Sequence, residues 1–292
     1  MYSIIVCSIR PEEADALRKN VSRTIGDGIP FEFIAYDNRG TGKGICQVYN
    51  ECAERAKYDL LCFVHEDIEF LTDGWGSVLA EKLSESDCGV VGFAGSTVKT
   101  KTLTGWGATA YYGIRQHYVQ HRKRKDRLTV DNPSAEVYSQ VVTIDGMCMF
   151  VRKGVWADVR FDDKLLTGFH CYDLDFSIAC HMAGFRNWVA QDILIKHMSV
   201  GSYTMGWYNS SVDLHEKWGK VLPIYIEQKT DEFKALVETK AVREWRARMG
   251  TYGIYEDCRS TSIARYVLTH PFNRRSYRMV KGWIKYKRRK QR

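Results

Sequence analysis

"LLCFVHEDIEF", residues 60–70, decides the fold. An apolar run too short for an independent helix stops at His65-Glu66-Asp67, and the chain then turns apolar again. A run of that length between polar boundaries reads as a buried strand. Burying a carboxylate is costly unless something compensates it. His65-Glu66-Asp67 is therefore either a solvated strand end or the rim of a cleft, and the flanking sequence separates the two.

Working outward, residues 2–9 form a β-branched run that reads as a strand. Pro11-Glu12-Glu13 opens a segment with helical spacing to residue 24, and proline and acids suit a first helical turn. Strand 31–38, glycine-rich loop 39–44, helix 45–57, strand 59–67, helix 74–86 and strand 88–96 follow. Alternation at this spacing requires crossover connections and predicts an α/β fold with a mostly parallel central sheet flanked by helices. Ligands bind such sheets beyond the carboxyl ends of the strands. Those ends are Ser8-Ile9-Arg10, Tyr36-Asp37-Asn38 and His65-Glu66-Asp67, so the alternation favours the cleft reading. Residues 97–140 lose this regularity and read as an excursion or flap over the cleft. Residues 141–156 return to strand character and lead into a helix. A helix starts near Tyr172, residues 187–202 are a strand and a polar loop, and the chain beyond about 210 is helical and basic.

The 292 residues can bury a sizeable core in one domain, or in one domain with an appendage, and 45% apolar content excludes a disordered chain. No stretch has eighteen consecutive apolar residues, which excludes a membrane-spanning helix. Opening directly on a strand-like run, the sequence is expected to lack a signal peptide. Nine cysteines, odd in number and without a CxxC pair, fit a reducing cytoplasm better than a disulfide framework. The net charge of +8 belongs to the tail: residues 258–292 hold twelve Lys and Arg and no acid. In 274–292 basic residues interleave with Tyr277, Met279, Val280, Trp283, Ile284 and Tyr286. That pattern suits peripheral contact with an anionic membrane better than nucleic acid, with a solvated basic tail as the plain alternative.

Several residues are candidates for chemistry. Asp67 at the rim is a natural oxygen ligand for Mg²⁺ or Mn²⁺. His197 ends the apolar run "ILIKH", and a neutral imidazole suits Mn²⁺ better than Mg²⁺, though a lone histidine there is more often structural. Asp37-Asn38 can read a ribose or a base edge, and by itself is equally a turn pair. "RGTGKG" (39–44) is a flexible loop or a phosphate contact, with neither the Walker nor the GxGxxG spacing. Asp173 and Asp175 open a helix but cannot share one of its faces. One can cap the helix while the other serves as general base. Trp106 in "LTGWGA" can stack on a sugar or sit in the core.

In order, these segments resemble an inverting family 2 glycosyltransferase of the GT-A fold, and more closely its StrF-like branch, over about residues 1–205. "SIIVCSIR" resembles the first nucleotide-binding strand, which implicates Ser8 and Arg10. "FIAYDN" resembles the strand whose acid meets the base. "VYNECAERAKYDLLCFVHEDIEF" is similar to the family's Asn-containing helix, here with Asn50, followed by the strand ending in the metal motif. "IDGMCMFVRKGVW" resembles the acceptor-side strand, with Asp145 and Gly146. "FDDKLLTGFHCYDLDFSIACHMAG" resembles the segment carrying the base, and "IKHMSVGS" the loop bringing a histidine to the metal. Two positions depart: His65 stands for the first acid of Asp-x-Asp, and Tyr172 for the Glu of Glu-Asp. The resemblance implies a GT-A domain over 1–210 with a helical basic extension over 211–292. It implies Asp173 as base with Asp175 as substitute, and a nucleotide site of Ser8, Arg10, Asp37, Asn38, Asn50, His65, Glu66 and Asp67. It also implies an acceptor site of Trp106, Asp145 and Gly146, and a Mn²⁺ or Mg²⁺ ion on Asp67 and His197. The donor would be a nucleotide-diphosphate sugar, UDP-sugar favoured, and the acceptor a glycan or lipid-linked hydroxyl. The setting would be cytoplasmic or at the inner membrane face. The alternatives are a sugar-phosphate nucleotidyltransferase and a non-catalytic nucleotide-sugar or glycan-binding module.

Overall fold

The computed structural model describes residues 1–122, 125–199, 201, 203–251, 267–268, 271–272, 276–277 and 280–281. Most of the basic segment 274–292, expected to touch a membrane, lies outside the described residues. In chain order the elements are β1 (Tyr2–Ser8), α1 (Pro11–Thr24), β2 (Phe31–Asp37), α2 (Ile45–Arg55), β3 (Leu60–Val64), β4 (Ile68–Phe70), α3 (Trp75–Ser84) and β5 (Cys88–Gly92). Then come β6 (Ala94–Ser96), β7 (Val98–Lys99), β8 (Ile114–Arg122), β9 (Lys125–Asp131), β10 (Tyr138–Val141), β11 (Thr143–Ile144), β12 (Cys148–Arg152) and α4 (Lys153–Val159). The chain continues through α5 (Tyr172–Met182), β13 (Arg186–Ala190), β14 (Ile195–His197), α6 (Met205–Trp218), β15 (Ile224–Tyr225) and α7 (Asp231–Thr251).

The central sheet has the order β10-β13-β5-β12-β3-β1-β2. Successive side chains on a strand point to opposite faces. Tyr2, Ile4 and Val6 therefore pack with Leu17 and Val21 of α1 and Trp75 and Leu79 of α3. Ile5 and Phe63 face the other way, toward Tyr49 and Cys52 of α2, Trp156 of α4 and Phe176 of α5. Both faces are covered, which is why these strands read as continuous apolar runs.

The sheet is more mixed than the alternation predicts. β1 runs parallel to β2 and β3, and β13 to β5, but β12 lies antiparallel between β3 and β5. Its chain enters from the carboxyl ends of its neighbours, so the residues just before it, Asp145 and Gly146, arrive at the ligand-binding edge.

The excursion 97–140 contains four strands, β7 to β10. A second sheet, β11-β6-β8-β14-β4 with β9 on β8, takes in its two longest strands, β8 and β9. Alternating mixed-polarity residues such as "IRQHYVQHR" hide this, because β8 is half-covered along most of its length. The loop from β7 to β8 is the flap proper. It is held from the C-terminal side: β15 pairs with β7, Val237 of α7 packs on Val98 and Ala108, and Glu238 accepts from Lys101 N (2.6 Å) and Thr102 Oγ1 (3.0 Å). Helix α6 runs through residue 210, where the sequence predicts a boundary. Among the described residues no helix is long and apolar enough to cross a membrane.

Phe63 is fully buried, with Tyr49 and Phe161 ring centroids each 4.9 Å away. Phe63→Ala is expected to cost ~3–5 kcal/mol, because the surrounding rings cannot collapse into the space. Urea unfolding monitored by circular dichroism measures this; a loss under ~1 kcal/mol would contradict the packing described.

Candidate active site

Glu66 organises the rim. Its carboxylate is 6% exposed and accepts from Ser8 Oγ (2.6 Å), Ile9 N (3.1 Å), Arg10 N (3.0 Å) and Arg10 Nε (3.0 Å). The end of β3 is thereby tied to the turn between β1 and α1. Glu66 and Ser8, both expected at a nucleotide, hydrogen-bond each other. Arg10 keeps a half-exposed guanidinium, with Nη2 3.8 Å from Asp67 Oδ2.

His65 and Asp67 flank this tie. β14 pairs antiparallel with β4, His197 opposite Ile68, and Met198 N donates to Asp67 O at 3.0 Å. That register brings His197 Nε2 to 3.6 Å from Asp67 Oδ1. One ligand atom from each of His65, Asp67 and His197 lies within 4.8 Å of the others. Burial lowers the pKa of both histidines, His65 to about 4, where His197 adds to the effect. Both imidazoles are neutral near pH 7, the form that ligates metals. Two imidazoles and a carboxylate fit a divalent cation.

The opposite side is built on Gly146. Its N–H donates to Asp173 Oδ2 at 3.0 Å and its carbonyl accepts from Tyr172 Oη at 2.9 Å. A side chain here would fall on the Tyr172 hydroxyl and crowd Asp173, so the close approach requires glycine. Burial pushes Asp173 up to about 6 despite three backbone N–H groups that favour its charge. Asp145 rises to about 7, through burial first and then the charge of Asp173; Met147 N (2.9 Å) and the Trp106 side chain oppose the rise. Trp106 is held in place by Thr143 Oγ1, which donates to its carbonyl at 2.8 Å. The expected acceptor residues Trp106, Asp145 and Gly146 thus gather beside Asp173.

Asp175 points elsewhere. It is 1% exposed, pairs with Lys217 at 2.9 Å and accepts from Trp218 Nε1 at 2.8 Å, so it anchors α6 and is no substitute base. Asn50 is likewise internal, corrected from the nucleotide site: it donates to Phe161 O (2.9 Å) and Asp163 Oδ2 (3.1 Å) and accepts from Trp156 Nε1 and Phe161 N (both 3.2 Å). Asp37 and Asn38 do end β2 beside Ser8. Asp37 is exposed and hydrogen-bonded to Arg39, which lowers it to about 2. Lys43 of the glycine-rich loop pairs with Glu51 at 2.6 Å.

Three residues were missed. Tyr172 contacts His65 Nε2 at 2.7 Å, and its departure from Glu-Asp was the signal. Phe169 is 53% exposed with its ring 5.7 Å from that of His65. Lys99 is wholly buried and donates to Thr104 O (2.5 Å), Thr104 Oγ1 (3.2 Å) and Gly105 O (3.4 Å). Nothing in "STVKTKT" distinguishes it from an exposed lysine.

The glycosyltransferase-like family model matches residues 3–207, and the chain belongs to that family, a family 2-like group. The fold agrees. S. aureus TarS 1–349 with UDP matches at 11% identity and TM-score 0.54, covering 90% of this chain and 78% of that one. TarS with UDP-GlcNAc matches at 12% and 0.51, covering 84% and 72%. GalNAc-T7 with UDP, GalNAc and Mn²⁺ matches at 12% and 0.50, covering 75% of this chain and 48%, about half, of that one. All three have the GT-A fold. No curated protein sequence matches this chain.

Asp145 and Asp173 keep their protons above the ordinary 3.8 when folded. Between pH 3.8 and about 7 the native state therefore binds more protons than the unfolded chain, and stability from these groups falls as pH rises. For metal-free protein, Asp145→Asn is expected to raise the melting temperature relative to wild type more at pH 8 than at pH 4.5. Parallel melting curves across that range would contradict the burial assigned to Asp145.

Proposed function

We propose that this chain transfers a sugar from a nucleoside-diphosphate donor to an acceptor hydroxyl, with inversion at the anomeric carbon. The observation that carries the reading is one continuous rim: Asp173 and Tyr172 both bond Gly146, Tyr172 bonds His65, and His65 adjoins Asp67 and His197. A basic carboxylate and a cation-binding cluster thus share one cleft.

Asp67 and His197 would hold the Mn²⁺ or Mg²⁺. Bound there, the ion would supply positive charge to offset that gathering on the leaving nucleoside diphosphate. The half-exposed guanidinium of Arg10, steered by Glu66, lies where it can pair with a phosphate oxygen. Asp37 and Asn38 lie two strands away and offer a carboxylate and an amide to ribose or base. Asp173 takes the proton from the acceptor hydroxyl as the oxygen attacks from the face opposite the leaving group, and one in-line displacement inverts the centre. Its pKa near 6 suits a base at neutral pH. Trp106 offers an aromatic face to a sugar.

UDP is the favoured nucleotide, in line with the UDP bound to TarS and GalNAc-T7. A glycan or lipid-linked acceptor in polysaccharide or lipopolysaccharide synthesis at the inner membrane face fits the basic, aromatic-interleaved tail. We place the chain in the StrF-like branch on its sequence motifs.

Asp173→Asn is expected to lower turnover by about 10²–10⁴-fold, while the thermal shift produced by the donor with Mn²⁺ stays as in wild type. A panel of nucleotide sugars identifies that donor first, since ligands of the native state raise the melting temperature. Unchanged turnover would remove Asp173 as the base. Release of pyrophosphate in place of a nucleoside diphosphate would replace glycosyl transfer with nucleotidyl transfer.

A further inference from the structure

We propose that His65 is itself a metal ligand, through Nδ1, and that Tyr172 is the positioning residue that fixes it in that role. The inference rests on the reading that this cleft takes a divalent cation. It adds a third ligand and the device that orients it.

The argument is a proton count. A tyrosine hydroxyl has one hydrogen. The Gly146 carbonyl can only accept, so at 2.9 Å the Tyr172 hydroxyl spends its proton there. The contact between Tyr172 Oη and His65 Nε2, at 2.7 Å, must then be donated by the imidazole. His65 therefore carries its hydrogen on Nε2. In the neutral ring Nδ1 keeps its lone pair, and Nδ1 is the atom left to give to a cation. A ligating imidazole whose other nitrogen donates to a fixed oxygen is oriented and made more basic by that bond.

The hydroxyl is well held. Tyr172 is 3% exposed, begins α5, and packs edge-on against Tyr49 at 5.6 Å. Gly146 presents its carbonyl because nothing larger fits against that hydroxyl. His65 is fixed at the backbone too, its N–H donating to Met147 O at 3.0 Å. With Asp67 and His197 the set is two imidazole nitrogens and one carboxylate oxygen, and one ligand atom of each residue lies within 4.8 Å of the others. Such a set favours Mn²⁺, Co²⁺ or Zn²⁺ over Mg²⁺, which demands oxygen ligands.

The test uses the full chain and the metals alone. Calorimetric titration is expected to show one Mn²⁺ site, with Mg²⁺ at least tenfold weaker. Pulsed electron paramagnetic resonance of bound Mn²⁺ is expected to show two coupled imidazole nitrogens in wild type and one in His65→Ala. Tyr172→Phe keeps the ring and removes the acceptor; its Mn²⁺ affinity is expected to fall roughly 10–100-fold, with near-ultraviolet circular dichroism unchanged. Two coupled nitrogens persisting in His65→Ala, or an unchanged affinity in Tyr172→Phe, overturns the inference while leaving the cation on Asp67 and His197. Loss of Mn²⁺ in Asp67→Asn together with wild-type Mn²⁺ binding in His65→Ala does the same. A wild-type chain that binds UDP-sugar but no Mn²⁺ sinks the cation reading as well.

Discussion

A single buried carboxylate sets the geometry of the cleft. Glu66 accepts four hydrogen bonds from three consecutive residues, Ser8, Ile9 and Arg10. A carboxylate is tolerated at 6% exposure only when it is hydrogen-bonded, and both oxygens of this one are. The tie clamps the end of β3 to the start of α1. His65 and Asp67, on either side of Glu66, belong with His197 to the candidate cation cluster. Removing the carboxylate would strand two backbone N–H groups and free Arg10, so the middle residue matters to the site through the turn it holds.

The second constraint is topological. An all-parallel sheet would bring only strand ends to the cleft. Inserting β12 antiparallel brings a strand beginning there instead, and with it Asp145-Gly146. The Gly146 peptide then uses both of its polar groups, N–H to Asp173 and carbonyl to Tyr172. One peptide unit thus links the proposed base to the cation cluster. The second sheet supplies the other half: β14 on β4 delivers His197, and the loop after β7 delivers Trp106.

Much of this is legible in the sequence, for a definable reason. β1, β2, β3 and the helices between them are local periodicities, and their strand ends follow from them. The rim at His65-Glu66-Asp67 follows as well. The antiparallel β12 does not, because an apolar run carries no direction. Asn50 and Asp175 were expected in the site, and both are buried polar residues whose partners lie far along the chain: Phe161 and Asp163 for one, Lys217 and Trp218 for the other. Spacing cannot reveal such partners. The two departures from the family resemblance, His65 and Tyr172, lie 107 residues apart and looked independent; they touch at 2.7 Å.

The same long-range logic bears on the base proposed above. Asp145 and Asp173 are neighbours in a water-poor region, and two such groups do not both ionise readily. Asp173 receives the Gly146 N–H and lies at the N-terminus of α5, both of which favour its anion. Lys99 favours it too: its Nζ is surrounded by three oxygen acceptors, the number an ammonium can satisfy and a neutral amine cannot. Burial lowers Lys99 only to about 8, so it remains a cation at pH 7. Asp145 has a backbone N–H and Trp106 but is raised further by the charge on Asp173. Burial raises both carboxyls, Asp173 to about 6 and Asp145 to about 7. In the reaction proposed above, an ionised Asp173 would accept the proton of the acceptor hydroxyl, and a protonated Asp145 would donate a hydrogen bond to a sugar beside Trp106.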